Sequence, residues 1–239
     1  MSRSAEEAEL YRIAEAQAGY FSARQARRAG FSKALLSHHV GRGKFLHIRR
    51  GVYRFARFPD MPYADLFAAW LAAGETAVVS HESALALYGL SDQLPAEIHL
   101  TVPRTASRRL AGVRLHTSRL TSEEITRRYG LPVTTVPRTL ADLILAGLGE
   151  ELVAQAARQA LERGLVTAEA LRTYALRRGG RVLHVLSRAV EGIWERRMKV
   201  LEEQKKQLES MPLIGGDLVD EVRDERQCEL EHLLWPDES

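Results

Sequence analysis

From Gln17 to Pro59 the chain contains no Asp or Glu, while the same interval holds ten Lys/Arg and three His. Ordinary surface mixes both signs, so a stretch this long with one sign points to a polyanionic partner, and nucleic acid is the largest polyanion available. The fold of the interval must therefore hold its cations outward on a small scaffold. The local chemistry says which scaffold. Ser22 is followed three residues later by Gln25, a capping box, with Phe21 placed as the apolar staple. Ala23, Ala26 and Ala29 supply the inner positions, and Gly30 is a natural stop. Ser32 caps a second helix, stapled by Phe31 and Leu36. A helix, a short turn with Gly and a second helix make a helix-turn-helix.

The second of these helices divides into two stripes. Leu36, His39 and Val40 share one; Lys33, Ala34, Ser37, His38 and Arg42 share the other. The outer stripe is small and polar, as a helix entering a major groove must be. Gly41 and Gly43 end the helix. Phe45–Ile48 then reads as a strand, Arg49-Arg50-Gly51 as a turn and Val52–Phe55 as the returning strand, which together form a wing. An arginine pair at a hairpin tip suits a phosphate backbone or a minor groove. The expected DNA-binding residues are Arg24, Arg28, Ser32, Lys33, Ser37, His38, Arg42, Lys44, Arg49, Arg50 and Arg54. Among them Lys33, Ser37 and His38 are placed to read base edges. His38 and His39 are adjacent and so point apart on a helix, which makes a packed His39 and an outward His38 the expectation rather than a metal pair.

Charge is distributed unevenly along the 239 residues. Residues 1–59 carry twelve Lys/Arg and four Glu, residues 60–211 are near neutral, and residues 212–239 carry nine acids and two Arg, so a formal net charge of +3 conceals a basic head and an acidic tail. The head's acids, Glu6, Glu7, Glu9 and Glu15, fall on a first helix over residues 5–17 and are expected on the face turned from DNA. The single cysteine, Cys228, excludes an internal disulfide and a thiolate zinc site. With no apolar run of spanning length and no apolar core near the start, the expectation is a soluble, cytoplasmic protein with no membrane partner.

Beyond Phe58-Pro59-Asp60-Met61-Pro62, read as a domain boundary, an apolar helix over 63–73 precedes a buried strand, Thr76–Ser80, and a short helix, His81–Tyr88. Glu97–Val102, Val113–Thr117 and Pro132–Thr135 read as strands, with Arg104, Arg108 and Arg109 in a basic loop between the first two. Thr135 caps a helix with Pro137 in its first turn. From Gly149 the pattern is helical: one helix over 150–163 with Leu152, Val153, Ala156, Ala160 and Leu161 on one side, a second capped by Thr167, and a third from Val182 towards Leu208. Trp194, Met198, Leu201 and Leu208 form a thin seam in that last helix, and Leu218, Val222, Leu230, Leu233, Leu234 and Trp235 dot the acidic tail, which reads as an amphipathic segment that docks on something. No motif indicates catalysis. His81-Glu82 begins like a zinc-protease motif, but Leu85 stands where the second ligand belongs. Gly41-x-Gly43-Lys44 lacks phosphate-loop spacing. Arg138 and Asp142, four apart, read as a helix-start salt bridge. The expectation is a chain that is not an enzyme, with no cofactor and no metal.

The order of these features resembles the AbiEi family of antitoxins, transcriptional regulators of toxin–antitoxin operons. The wing Lys44–Tyr53, then Ser80-His81-Glu82-Ser83-Ala84, then Arg138-Thr139-Leu140-x-Asp142 are the most specific pieces, and the resemblance runs over roughly residues 9–190. It implies an α+β chain with an N-terminal winged helix-turn-helix DNA-binding domain (1–59) and a mixed α+β antitoxin domain (60–190); the helical C-terminal extension with the acidic tail (191–239) lies beyond the resemblance. It also implies double-stranded operator DNA as partner, autorepression, and a nucleotidyltransferase-like toxin countered without a stable complex, while the few base pairs that one helix and one wing cover call for a homodimer on DNA. The alternative is a protein-interaction antitoxin that neutralises its toxin by direct contact through the C-terminal region.

Overall fold

The computed structural model describes residues 3–91, 95–103 and 109–210. Cys228, the acidic tail 212–239 and the basic-loop residues Arg104 and Arg108 lie outside the described residues, as do the side chains of the Trp194–Met198–Leu201–Leu208 seam. The chain divides into two compact units, Met1–Ser187 and Arg188–Ser239. The described part of the second unit, to Ser210, is helix.

The first unit begins with α1 (Arg3–Glu15), β1 (Tyr20–Ser22), α2 (Ala23–Arg28), α3 (Lys33–Gly41), β2 (Phe45–Arg49) and β3 (Val52–Phe55). The capping box forms as its sequence dictates: the Gln25 N–H donates to Ser22 Oγ at 3.1 Å and the Ser22 N–H donates to Gln25 Oε1 at 2.8 Å. Ser32 Oγ accepts from the Leu35 N–H at 3.1 Å and starts α3. Phe31 and Leu36 are both buried in one core with Leu10, Ala14, Phe21, Ala26, Phe45 and Phe55. The rings of Phe21, Phe45 and Phe55 meet at centroid separations of 4.9–5.4 Å, mostly edge-on, and supply most of the apolar area that a domain this small can bury.

β1, β3 and β2 form an antiparallel sheet in that order. The pattern of the residues did not announce β1: it is three residues long, and Phe21 serves there both as strand residue and as staple for α2. β2 carries a bulge at Ile48, since His47 faces Tyr53 and Arg49 faces Val52. Arg49 thereby becomes the last residue of the strand, and Arg50-Gly51 makes the turn. Gly51 holds φ at +75°, a value for which glycine is the ordinary choice. The Ala23 N–H donates to the Gly51 carbonyl at 2.8 Å, which ties the hairpin tip to the start of α2.

The sheet's other face meets α4 (Ala64–Ala73), which packs on all three strands. α4 also touches a second sheet built from β4 (Val78–Val79), β5 (Ile98–Val102), β6 (Val113–Thr117), β7 (Ile125–Arg128) and β8 (Leu131–Thr134). Its order is β6-β5-β4-β8-β7, with β5/β6 and β4/β8 parallel and the other two pairs antiparallel. β7 and its hairpin to β8 were not expected. Tyr129 and Gly130 both have positive φ, as a two-residue hairpin turn requires, but Tyr-Gly lacks the Asn/Asp-Gly signature of such turns. A side chain at Gly130 would lie 2.9 Å from the Ala16 carbonyl, so this hairpin approaches the end of α1 too closely for any other residue.

Against the second sheet lie α5 (His81–Leu87) and α6 (Val136–Leu145). α7 (Glu150–Glu162) and α8 (Ala168–Arg178) pack on α6, and α9 (Gly180–Ser210) begins beside α7 through the Arg181–Glu150 ion pair. Thr135 precedes α6 without a side-chain cap; its carbonyl instead accepts from the Thr139 N–H at 2.8 Å. Leu152, expected inward, is exposed, because α7 turns Val153, Ala156, Ala157 and Ala160 to α6.

α6 is buried on nearly every side, and that decides the chemistry of its one charged pair. The Arg138 side chain is only 4% exposed. Its Nε donates to both Asp142 oxygens at 2.9 Å, Nη1 donates to both Glu124 oxygens at 3.0 Å, and Nη2 donates to Ser118 Oγ at 2.9 Å. The expected Arg138–Asp142 bridge is thus one arm of a saturated guanidinium, and the Tyr174 hydroxyl completes the network by donating to Glu124 at 2.7 Å.

Candidate nucleic-acid interface

The order α1-β1-α2-α3-β2-β3 is a winged helix-turn-helix, and α3 presents the two stripes its sequence sets out. Leu36 is buried, His39 and Val40 are half-buried against the core, and Lys33, Ala34, Ser37, His38 and Arg42 are exposed. His39 packs its ring on Phe31 and Phe45 at 5.8 and 5.0 Å, while His38 lies outward. Ser32 is exposed and already committed to the Leu35 N–H. Arg50 at the wing tip is exposed and Arg49 half-buried. Among the described residues no carboxylate lies within ion-pair reach of Lys33, Arg42, Arg49 or Arg50. Their charge is free to meet a phosphate, and such contacts fix position and register on a duplex.

Other expected contacts are placed differently. Arg54 is turned inward, its side chain 10% exposed, and this corrects its assignment to DNA. Its Nη2 donates to the Phe58 and Pro59 carbonyls and to Asp60, all at 2.9 Å, and the guanidinium lies over the Tyr20 ring. The reason is alternation along β3: Val52 and Arg54 fall on the face that α4 covers, opposite Tyr53 and Phe55. Lys44 pairs with Glu7 of α1, so the acids of α1 are not all turned from the basic face as expected. Arg24 and Arg28 both approach Glu75, at 3.3 and 3.6 Å, yet stay 58% and 64% exposed. Exposed pairs of this kind contribute about 0–1 kcal/mol, so a phosphate can displace them. The interface the chain offers is therefore α3's outer stripe and the wing tip, flanked by Arg24, Arg28 and the equally exposed Arg27 and Arg57.

No metal site was expected anywhere. The fold nevertheless brings three histidines, His81, His99 and His116, from α5, β5 and β6 into one cluster. They lie far apart in sequence, and no spacing could have announced them.

Residues 9–56 match a family profile described as "Transcriptional regulator, AbiEi antitoxin". The match runs from within α1 to just past β3, and α4, the second sheet and the helices beyond it lie outside it. Among solved structures the chain is similar to the "Crystal structure of RV2827C protein from Mycobacterium tuberculosis", at 15% identity and a TM-score of 0.48, over 78% of this chain and 76% of that one. No curated protein matches the chain. Among the described residues no helix is long and apolar enough to cross a membrane. The winged helix with its acid-free outer face and the match to the AbiEi antitoxin profile of transcriptional regulators coincide on the same residues, 9–56.

Proposed function

We propose that the chain is a DNA-binding antitoxin that represses its own operon from α3 and the wing, acts in the cytoplasm, is not an enzyme, and counters a nucleotidyltransferase-like toxin. The observation that carries this reading is the exposed set Lys33, Ser37, His38, Arg42 and Arg50, with Arg49 half-buried beside it, on a domain of the regulator family. One helix and one wing cover few base pairs, so tight operator binding requires two copies on an inverted repeat. In this reading residues 1–59 are the DNA-binding domain, 60–190 the antitoxin domain and 191–239 the extension.

The test is fluorescence anisotropy with the DNA upstream of the gene, over a range of salt. With five to eight phosphate contacts, log affinity falls against log salt with a slope of about −0.9 per contact. Binding that ignores salt overturns the reading. Substituting Lys33 or Ser37 changes the preferred sequence rather than the overall affinity. Protection by direct contact through the tail is a separate reading, drawn from the sequence of residues 212–239. A chain ending at residue 211 that still protects cells fully rules it out.

A further inference from the structure

We propose that His81, His99 and His116 bind one divalent transition-metal ion of the Zn²⁺ type. One ligand nitrogen from each of the three lies within 4.8 Å of the others. His99 Nδ1 and His116 Nε2 face each other at 3.3 Å. Two nitrogens bound tetrahedrally to Zn²⁺ at its usual bond length stand about 3.3 Å apart, so these two already hold the separation a shared ion demands. On two of the three histidines the other ring nitrogen is engaged outside the cluster. His99 Nε2 lies 3.4 Å from the Glu82 carboxylate, the arrangement in which a carboxylate orients a ligating imidazole. His81 Nδ1 lies 3.0 Å from Ser80 Oγ, which in turn accepts from the Thr101 hydroxyl at 2.8 Å, leaving His81 Nε2 for the metal.

The fold fixes this convergence. β5 and β6 pair in parallel with Thr101 opposite His116, and the Ser83 Oγ accepts from the His99 N–H at 2.8 Å, which locks α5 to β5. His81 opens α5 with φ at 52°, a left-handed conformation unusual for a residue with a Cβ; strain of this kind gathers at ligand sites. Arg114 and Arg138 add positive potential nearby, which Glu82 offsets in part. The rings of His81 and His116 stack face to face at 3.6 Å, so binding requires one of them to rotate and turn its in-plane lone pair to the shared ion. Three imidazoles leave the fourth position of a tetrahedral ion to water or to an external ligand.

The full chain, stripped with a chelator and dialysed, is titrated with Co²⁺ for its visible d–d absorption and with Zn²⁺ for displacement. One equivalent is expected, together with a thermal midpoint raised by Zn²⁺ and returned by EDTA. His99→Gln and His116→Gln remove the band, whereas His47→Gln and His184→Gln, far from the cluster in sequence, leave it unchanged. Should the two ligand variants fail to fold, Glu82→Gln reports instead: it weakens Zn²⁺ binding about ten-fold or more while the chain stays folded. A stripped wild type that binds no equivalent overturns the proposal. So does binding that survives His116→Gln and is lost in His47→Gln.

Discussion

Arginine does opposite work in two regions of this molecule. At the wing tip Arg49 and Arg50 stand together with no carboxylate of the described residues in reach, while at the start of α6 one guanidinium is enclosed by two carboxylates and a hydroxyl. The first arrangement is incomplete without a partner, because its charge is unneutralised and its donors are given to water. The second is largely satisfied within the fold, and it holds Glu124, Asp142 and Ser118 in place. A residue type therefore says little about function until the saturation of its donors is known.

The largest expected effect breaks the saturated side. Arg138→Leu leaves Asp142 buried without its ion-pair partner, while Glu124 keeps Arg178 and the Tyr174 hydroxyl, and breaking a buried pair in this way costs about 3–5 kcal/mol. Chemical denaturation should show the loss in full, with DNA affinity of the remaining folded protein unchanged. If stability holds and DNA binding falls, the network belongs to the interface and the contrast is lost. On the unsaturated side the double variant Arg49→Ala/Arg50→Ala should leave stability within about 0.5 kcal/mol, as for exposed substitutions generally. It should weaken binding to all sequences and flatten the salt dependence by about 1.8 units of slope, two phosphate contacts' worth.

Arg54 tests where the boundary between the two kinds of arginine runs. Arg54→Met removes the donor shared by the part-buried Phe58 and Pro59 carbonyls and should cost about 1 kcal/mol, the usual net worth of such hydrogen bonds. A direct DNA contact at Arg54 would instead show as a flatter salt slope at unchanged stability. The saturated network also predicts an acid response. Burial alone pushes the Glu124 carboxyl up, but hydrogen bonds from the Tyr174 hydroxyl, the Thr121 N–H and Arg138 outweigh it and hold it below its ordinary value. Glu124 thus contributes stability above the unfolded value, and that contribution disappears as pH falls below about 4.3 and through the lower folded value. Denaturant midpoints measured from pH 6 to pH 3 should fall, and Glu124→Gln should flatten the fall.

What the residues disclosed divides along the same line. Local chemistry was legible: the Ser22/Gln25 box, the Ser32 cap, the two stripes of α3 and the limits of β6 each follow from a few neighbouring side chains. Contacts made across the fold were not. β7, Ile-Thr-Arg-Arg, has no alternation to mark it, and its register is set by β8. The inward turn of Arg54 depends on α4 covering the back of the sheet, and the three histidines meet only because β5 pairs with β6 and Ser83 fastens α5 beside them. The acid-free run foretold a free basic face, and most of α3 and the wing tip keep it. It could not foretell that Glu7 and Glu75, from outside the run, would reach Lys44, Arg24 and Arg28.

Glu75 gives the smallest effect and the finest test. It follows the Gly74 that ends α4, and it pairs with two of the three α2 arginines, Arg24 and Arg28. Its ion pairs are long, their arginines are exposed, and the buried Oε1 has no hydrogen-bond partner despite lying 3.3 Å from Arg24. The carboxylate therefore contributes little to stability while placing a negative charge beside a surface that a polyanion would approach. Removing that charge by Glu75→Gln should change stability by less than about 0.5 kcal/mol and tighten DNA binding a few-fold at low salt, with the gain fading as salt screens it. If Arg24 and Arg28 lie outside the footprint, the affinity does not move at any salt, and the interface contracts to α3 and the wing alone.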